Sequence, residues 1–382
     1  MRAGPAIAAI IALTACQGTD PALAVDQVFR TEKATVRVTT VADGLEHPWG
    51  LAFLPDGRIL VTEREGNLRV VGTDGSLSSP LRGVPEVDAR GQGGLLDVAL
   101  DPDFARNRLV YLSYAEPGGS GNSTAVARGA LSQDARSLTD VRVIFSQKPK
   151  LPSVQHYGSR LVFDTQGNLY VTLGERSDRK FRVQSQDLDS HLGKVVRIRP
   201  DGSVPPDNPF VNRPGALPEI WSYGHRNIQG AALHPQTGAL WLNEHGPRGG
   251  DEVNVPEPGK NYGWPVVTYG VEYSGGPVGE GRQKAPGMED PIYYWVPSIG
   301  TSGMTFYTGN AFPGWRGSVF NGGLVSKDVA RLELDGTRVT HEERLFKGLG
   351  KRIREVKQGP DGALYLLTDH DRGEILRVAP AQ

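Results

Sequence analysis

The sequence predicts an all-β chain: a six-bladed β-propeller with four-stranded antiparallel blades around a central channel. Three observations lead there. A hairpin pattern returns six times, 49 glycines and 28 prolines fall between short apolar runs, and no Pro/Ser-rich linker interrupts the repeats after Val25.

The first copy sets Leu51-Ala52-Phe53 against Ile59 to Thr62 across the turn Pro55-Asp56-Gly57, a strand, turn and strand in sequence. Related units run from Val98 to Ser113 around Pro102-Asp103, from Leu161 to Thr172 around Asp164 and Gly167, and from Ala231 to Leu242 around Pro235 and Gly238. A more divergent copy lies between Met304 and Leu324, and the last runs from Val356 to Leu367 around Pro360-Asp361-Gly362. Short strands arranged radially bury their faces on their neighbours and leave only short edges, which favours a propeller over a β-sandwich or two domains. Copies recur every roughly 45 to 70 residues, against ~40–50 for ordinary propeller repeats, so some blades must carry long insertions, where function concentrates.

With 382 residues and a net charge of −1, the chain scatters its Lys and Arg rather than gathering them. That excludes the basic stripe of a nucleic-acid binder and favours a small ligand.

At the start, Arg2, the apolar run Pro5 to Leu13, and Leu13-Thr14-Ala15-Cys16 resemble a bacterial lipobox. The expected organisation is a lipoprotein-type signal peptide at 1–15, a flexible tether at 16–34 and a propeller domain at 35–382, exported to the periplasm and lipid-anchored through Cys16. Cys16 is the only cysteine, so no intrachain disulfide forms. The apolar run is far shorter than the ~20 residues that span a membrane. An ordinary signal peptide with an incidental cysteine would also export the chain.

Four segments carry side chains suited to chemistry. His156, in Gln155 to Asp164, precedes an inner-strand pattern and suits a general base near neutral pH, although a hydrogen-bonded turn histidine fits the same pattern. Arg226, Asn227 and Gln229 crowd into Tyr223 to Gly230, suited to a carbonyl or anionic ligand. Asn243 to Glu252 is glycine-rich, with carbonyls and carboxylates of the kind calcium prefers, yet a turn stabilised by Asp251 reads equally well. Finally, Lys327 follows Gly322-Gly323-Leu324, Arg352 and Arg354 alternate on a strand, and Thr368-Asp369 ends the next one. Residues two apart share a strand face, and two guanidiniums there repel unless an anion lies between them.

Together these segments resemble the soluble pyrroloquinoline quinone (PQQ)-dependent glucose/sorbosone dehydrogenase family, in its aldose sugar dehydrogenase branch. The likeness runs from about Val41 to Val378 and is carried by HPWGLAFLPDG, GQGGLLDVALDPDF, HYGSRLVFD, YGHRNIQG, NEHGPRGGDEVN, GKNYGWP, RIREV and LYLLTD, in that order. The resemblance implies a six-bladed propeller with PQQ over the channel on a calcium ion. It makes His156 the base that takes the anomeric hydroxyl proton while hydride passes from C1 to the quinone C5, oxidising an aldose to its lactone. Glu175 would orient His156, and Arg226 would stabilise charge at the C5 oxygen.

The same resemblance places Gln92, Asn227, Gln229, Lys327, Arg352, Arg354 and Thr368 around the cofactor, calcium on the carbonyls of Gly246 and Pro247, and a second calcium at Glu252 and Tyr262. Trp295 and Tyr307 are candidates for aromatics flanking the sugar. An external electron acceptor is implied. Two other readings compete: a non-catalytic carbohydrate- or protein-binding propeller, and a calcium-dependent lactonase. The lactonase would need carboxylates around a metal, where this chain offers Lys327, Arg352 and Arg354.

Overall fold

The computed structural model describes Met1 and residues 24–381. The expected leader beyond Met1, Cys16 and the first part of the tether lie outside the described residues.

The strands form six antiparallel sheets, one per blade. Blade 1 holds Pro48–Phe53, Ile59–Glu63 and Asn67–Val71; blade 2 holds Leu95–Leu100, Leu109–Gly118, Gly121–Leu131 and Leu138–Ser146. Blade 3 holds Gly158–Phe163, Leu169–Leu173, Lys194–Ile198 and Ile220–Tyr223; blade 4 holds Ile228–Leu233, Leu240–Glu244, Asp251–Asn254 and Tyr293–Trp295. Blade 5 holds Thr301–Phe306, Val319–Gly323, Val329–Asp335 and Arg338–Leu345. Blade 6 combines Ile353–Gln358, Leu364–Thr368 and Gly373–Pro380 with Thr35–Leu45 and Asp26–Arg30 from the other end of the chain.

The first strands of successive blades contact one another in cyclic order, and that of blade 6 returns to that of blade 1. The chain is a six-bladed β-propeller. Each of the six sequence repeats is the inner hairpin of a blade, flanked by neighbours on both sides. These strands therefore lack a simple apolar alternation: all of Ile59–Glu63 and of Leu169–Leu173 is buried. Blades adhere through shared apolar layers, as where Tyr111, Val126 and Phe145 of blade 2 meet Leu161, Val171 and Val196 of blade 3. Each such side chain contributes about 1.5–3 kcal/mol when fully buried.

Two features depart from the four-strand expectation. Blade 1 has three strands and blade 6 has five. Residues Asp26–Arg30, expected within the flexible tether, pair from Asp26↔Thr39 to Arg30↔Thr35. They are held because Val25 enters the blade 5–6 core and Phe29 packs edge-on against Phe346 at 5.6 Å. Thr35–Leu45 in turn pairs with Gly373–Pro380, so the two ends of the domain close the ring by hydrogen bonds.

In every blade the start of the first strand lies beside the end of the second, for example Gly158↔Leu173 and Ile228↔Glu244. The loops at these ends share one face of the ring. The expected insertions lie at 72–94 between blades 1 and 2, at 174–193 and 199–219 in blade 3, and at 255–292 in blade 4.

Candidate active site

At the centre of that face is a cavity of ≈ 200 Å³ to which all six blades contribute, among them Trp49, Gln92, Tyr157, Asn227, Val325 and Arg354. The segments singled out in the sequence converge here because each sits at the channel end of an inner strand.

His156 and Glu175 flank the inner hairpin of blade 3. His156 has φ +50° and is buried, and its Nδ1 is 3.0 Å from Glu175 Oε2. The same Glu175 oxygen accepts from Ser177 N, while Oε1 is buried without a partner. Gln92 accepts the backbone N–H of His156 at 2.8 Å. The approach of the two strand ends depends on Gly174, where a Cβ would lie 2.1 Å from the His156 carbonyl oxygen. Burial lowers the His156 pKa, with the Glu175 charge opposing it, so the ring is held neutral. Burial opposes ionisation of Glu175, but His156 and Arg226 outweigh it and its carboxyl stays below the usual value. A neutral imidazole backed by a buried carboxylate is the arrangement of an oriented general base.

From blade 3 a hydrogen-bonded crescent runs around the cavity. Asn227 Oδ1 accepts from Gly158 N at 3.2 Å and from Gln229 Nε2 at 3.3 Å, and Gln229 Oε1 accepts from Arg354 at 3.0 Å. Asp369 then joins Arg354, at 3.3 Å, to Arg352, at 2.7 Å. The anion expected between the two guanidiniums is therefore in part the protein's own Asp369. Burial works against that carboxylate, yet Arg354 and Arg352 hold it far below the ordinary range.

One carboxylate does not balance the site. Arg64 also lines the cavity, and the Nε atoms of both Arg64 and Arg354 are buried without an acceptor. Three guanidiniums around a single carboxylate, with donors left open, fit a polyanionic ligand such as PQQ.

Arg226 projects from the start of blade 4, stacks on Trp264 at 5.1 Å, and donates to the carbonyls of His245 at 3.0 Å and Gly246 at 2.6 Å. Its Nε is buried and unpartnered. The Gly246 carbonyl assigned to calcium is thus held by Arg226, whereas no described hydrogen bond reaches the Pro247 carbonyl. Carbonyl oxygens at this point fit a hard cation, provided the guanidinium yields one of them.

Glu252 is half-buried beside the buried Glu244, and Asn254 donates to both, at 3.3 and 3.1 Å. Burial first, and the Glu244 charge second, push Glu252 well above the usual carboxylate range. A divalent cation would relieve that pair. Tyr262 borders the same small space, but its hydroxyl donates to Val255 O at 2.6 Å, so the phenol is not turned to Glu252.

Not every predicted residue reaches the central cavity. Gln92, Asn227, Gln229, Arg352 and Arg354 line it; His156 and Glu175 lie behind its Tyr157–Gly158 wall, Arg226 borders the small space shared with Glu252 and Tyr262, and Lys327 and Thr368 line an adjoining hollow of ≈ 610 Å³. Thr368 Oγ1 accepts from Glu374 N at 2.9 Å.

Trp295 and Tyr307 do not flank the site. Trp295 is on the outer strand of blade 4 and donates to Glu342 at 2.9 Å, while Tyr307 is wholly buried between blades 5 and 6 and donates to Gly362 O at 2.7 Å. Propeller aromatics also serve as packing between blades, and their position along a repeat does not separate the two uses.

The sequence reading missed several residues. Arg160 crosses the channel beneath the cavity, pairing with Glu355 and, at 3.3 Å, with Asp97, while stacking on Trp49 at 4.1 Å. His245 borders the cavity and is pushed down to about 4 by burial. A second dyad, His225 Nδ1 to Glu244 Oε1 at 2.9 Å, has the same 19-residue separation as His156 and Glu175 but is sealed against Tyr262. That recurring His-to-Glu spacing was legible; which dyad adjoins the cavity wall was not.

A ring of six blades with a base dyad on one side of its channel and a guanidinium cluster on the other defines a cofactor-binding propeller enzyme. The Glucose / Sorbosone dehydrogenase profile matches residues 45–377. The chain belongs to that family and is an oxidoreductase. It is 49% identical over 363 residues to aldose sugar dehydrogenase YliI of Escherichia coli (strain K12), covering 94% of this chain and 97% of the relative. The apo-form structure of the soluble aldose sugar dehydrogenase from E. coli superposes with a TM-score of 0.88 at 49% identity, over 91% of this chain and all of that one (100%). The PQQ-bound aldose sugar dehydrogenase from Streptomyces coelicolor gives a TM-score of 0.72 at 32% identity, over 94% and 99% of the two chains.

Proposed function

We propose that the protein is a PQQ- and calcium-dependent aldose dehydrogenase that oxidises the anomeric C1 hydroxyl of a sugar to the lactone. The observation that carries this reading is the neutral His156–Glu175 dyad, placed beside the cavity-lining Tyr157 and Gly158, with the cluster of Arg64, Arg352 and Arg354 lining the cavity from blades 1 and 6.

His156 takes the hydroxyl proton at Nε2, and Glu175, hydrogen-bonded at Nδ1, stabilises the cation that forms. Bound PQQ supplies the two-electron acceptor for the C1 hydride. Arg352, Arg354 and Lys327 hold its carboxylates, with Asn227 and Gln229 fixing its place along the crescent. Arg226 moves from the Gly246 carbonyl toward the oxygen on which charge develops. The carbonyls of Gly246 and Pro247 would hold calcium, and Glu252 with Glu244 would hold a second cation. The lipobox-like segment ending at Cys16 supports a periplasmic enzyme held on a lipid anchor.

The test is dye-linked oxidation of glucose and other aldoses by purified apoprotein, with PQQ and calcium added together and each omitted in turn. Activity that needs both is the expected result. Neither turnover nor PQQ binding would instead favour a carbohydrate- or protein-binding propeller.

A further inference from the structure

Arg176 takes no part in the steps above, yet it is 1% exposed and directly follows Glu175. Its guanidinium lies 3.7 Å from the ring centroid of Tyr157, the residue that follows His156 and lines the cavity. One stack therefore joins the neighbours of both members of the dyad. The same guanidinium donates through Nη2 to Asn122 Oδ1 and to the Ser153 carbonyl, while Ser153 Oγ donates back to the Arg176 carbonyl at 2.8 Å. Asn122 Oδ1 also accepts from the Tyr157 hydroxyl at 2.9 Å. The segment from Ser153 to Tyr157, with His156 inside it, is gripped at both ends by one side chain.

That grip is costly. Both acceptors of the guanidinium are neutral, and its Nε and Nη1 are buried without a hydrogen-bond partner among the described residues. Arg176 and Ser177 also stand in succession at φ +73° and +68°, and neither is a glycine. Buried charge and backbone strain of this kind gather where a reacting group is held in place. The sign of the charge fits such a role. Glu175 and Arg176 from the loop of blade 3, and Arg226 and His245 from blade 4, are the titratable and charged groups that face the His156 ring. Burial lowers the His156 pKa most; Glu175 raises it, and Arg226 and then Arg176 lower it further. His245, pushed down to about 4 by burial, carries no charge near neutral pH.

We propose that Arg176 is a positioning residue for the base dyad: its clamp on Ser153 and Tyr157 fixes His156 behind the cavity wall, and its buried positive charge stands beside the imidazole that takes the sugar proton. The proposal rests on the dehydrogenase reading.

Wild type is compared with Arg176→Met, which removes clamp and charge, and Arg176→Lys, which keeps the charge and loses the flat stack. In apoprotein carrying isotope-labelled histidine, the His156 ring signals are assigned by their loss in His156→Gln. They should titrate at higher pH in Arg176→Met than in wild type, and at the wild-type position in Arg176→Lys. With PQQ and calcium bound and sugar saturating, kcat should fall on the order of tenfold in both variants. The acid limb of its pH profile should move to higher pH in Arg176→Met alone. PQQ affinity, read by fluorescence titration, should stay within about twofold of wild type in both. An unmoved His156 titration in folded Arg176→Met, or a loss of PQQ affinity in proportion to kcat, would overturn the proposal. Should Arg176→Met fail to fold by circular dichroism, Arg176→Lys decides it, and a kcat within about twofold of wild type removes the clamp. If loaded wild type oxidises no aldose, the dehydrogenase reading fails instead, and the histidine titration still decides whether Arg176 acts on His156.

Discussion

Replacing Glu175 by glutamine removes one charge and little else, and the structure sets the size of the effect. Glu175 Oε2 accepts from both His156 Nδ1 and Ser177 N, while Oε1 is buried and contacts no hydrogen-bonding partner. A glutamine carbonyl placed at Oε2 keeps both hydrogen bonds, and its amide occupies the Oε1 side. What disappears is the carboxylate that stabilises the imidazolium formed as His156 takes its proton. A charge-assisted hydrogen bond is roughly twice as strong as a neutral one, so the loss is roughly 1–1.5 kcal/mol. At 1.36 kcal/mol per tenfold, kcat should fall about 5- to 15-fold.

The pH profile adds a sign. Burial lowers the His156 pKa from 6.5 and the Glu175 charge raises it, so the acid limb of the wild-type rate lies below 6.5. Without that charge the limb should move to still lower pH. Steady-state kinetics at saturating PQQ and calcium, with PQQ affinity measured separately by titration, provide the assay. A kcat within twofold of wild type, or a loss of PQQ affinity matching the loss of rate, would refute the division between base dyad and cofactor cluster.

Three further outcomes are expected. Arg354→Ala should weaken PQQ binding by about 10- to 100-fold in a fluorescence titration, since one buried charged donor is lost, with a small effect on turnover at saturating cofactor. Gly174→Ala should lower kcat with a modest change in melting temperature, because its Cβ would meet the His156 carbonyl at 2.1 Å and displace the base; circular dichroism verifies the fold. Asp369→Asn should destabilise the apoprotein to urea at pH 7. Because the folded pKa is depressed, this contribution is present above the ordinary 3.8 and is lost as pH falls below it, so the gap to wild type should narrow there.

The sequence alone determined the blade count and the convergence of distant segments. Each inner hairpin carries its own turn and apolar strands, and a local pattern repeated six times is readable without knowing what each copy packs on. His156, Arg226 and Arg354 were legible because they stand at the channel ends of those strands.

Tertiary structure decided what depends on neighbours from other blades. Asp369 became the counter-charge of Arg352 and Arg354 only when two strand ends met. Trp295 and Tyr307 proved to be packing residues, while Trp49, within a recognised motif, faces the cavity on top of Arg160. Ring closure likewise needed Thr35–Leu45 to meet Gly373–Pro380, strands at opposite ends of the domain. Contacts of this kind join residues remote in the chain, and no local periodicity encodes which of them will touch.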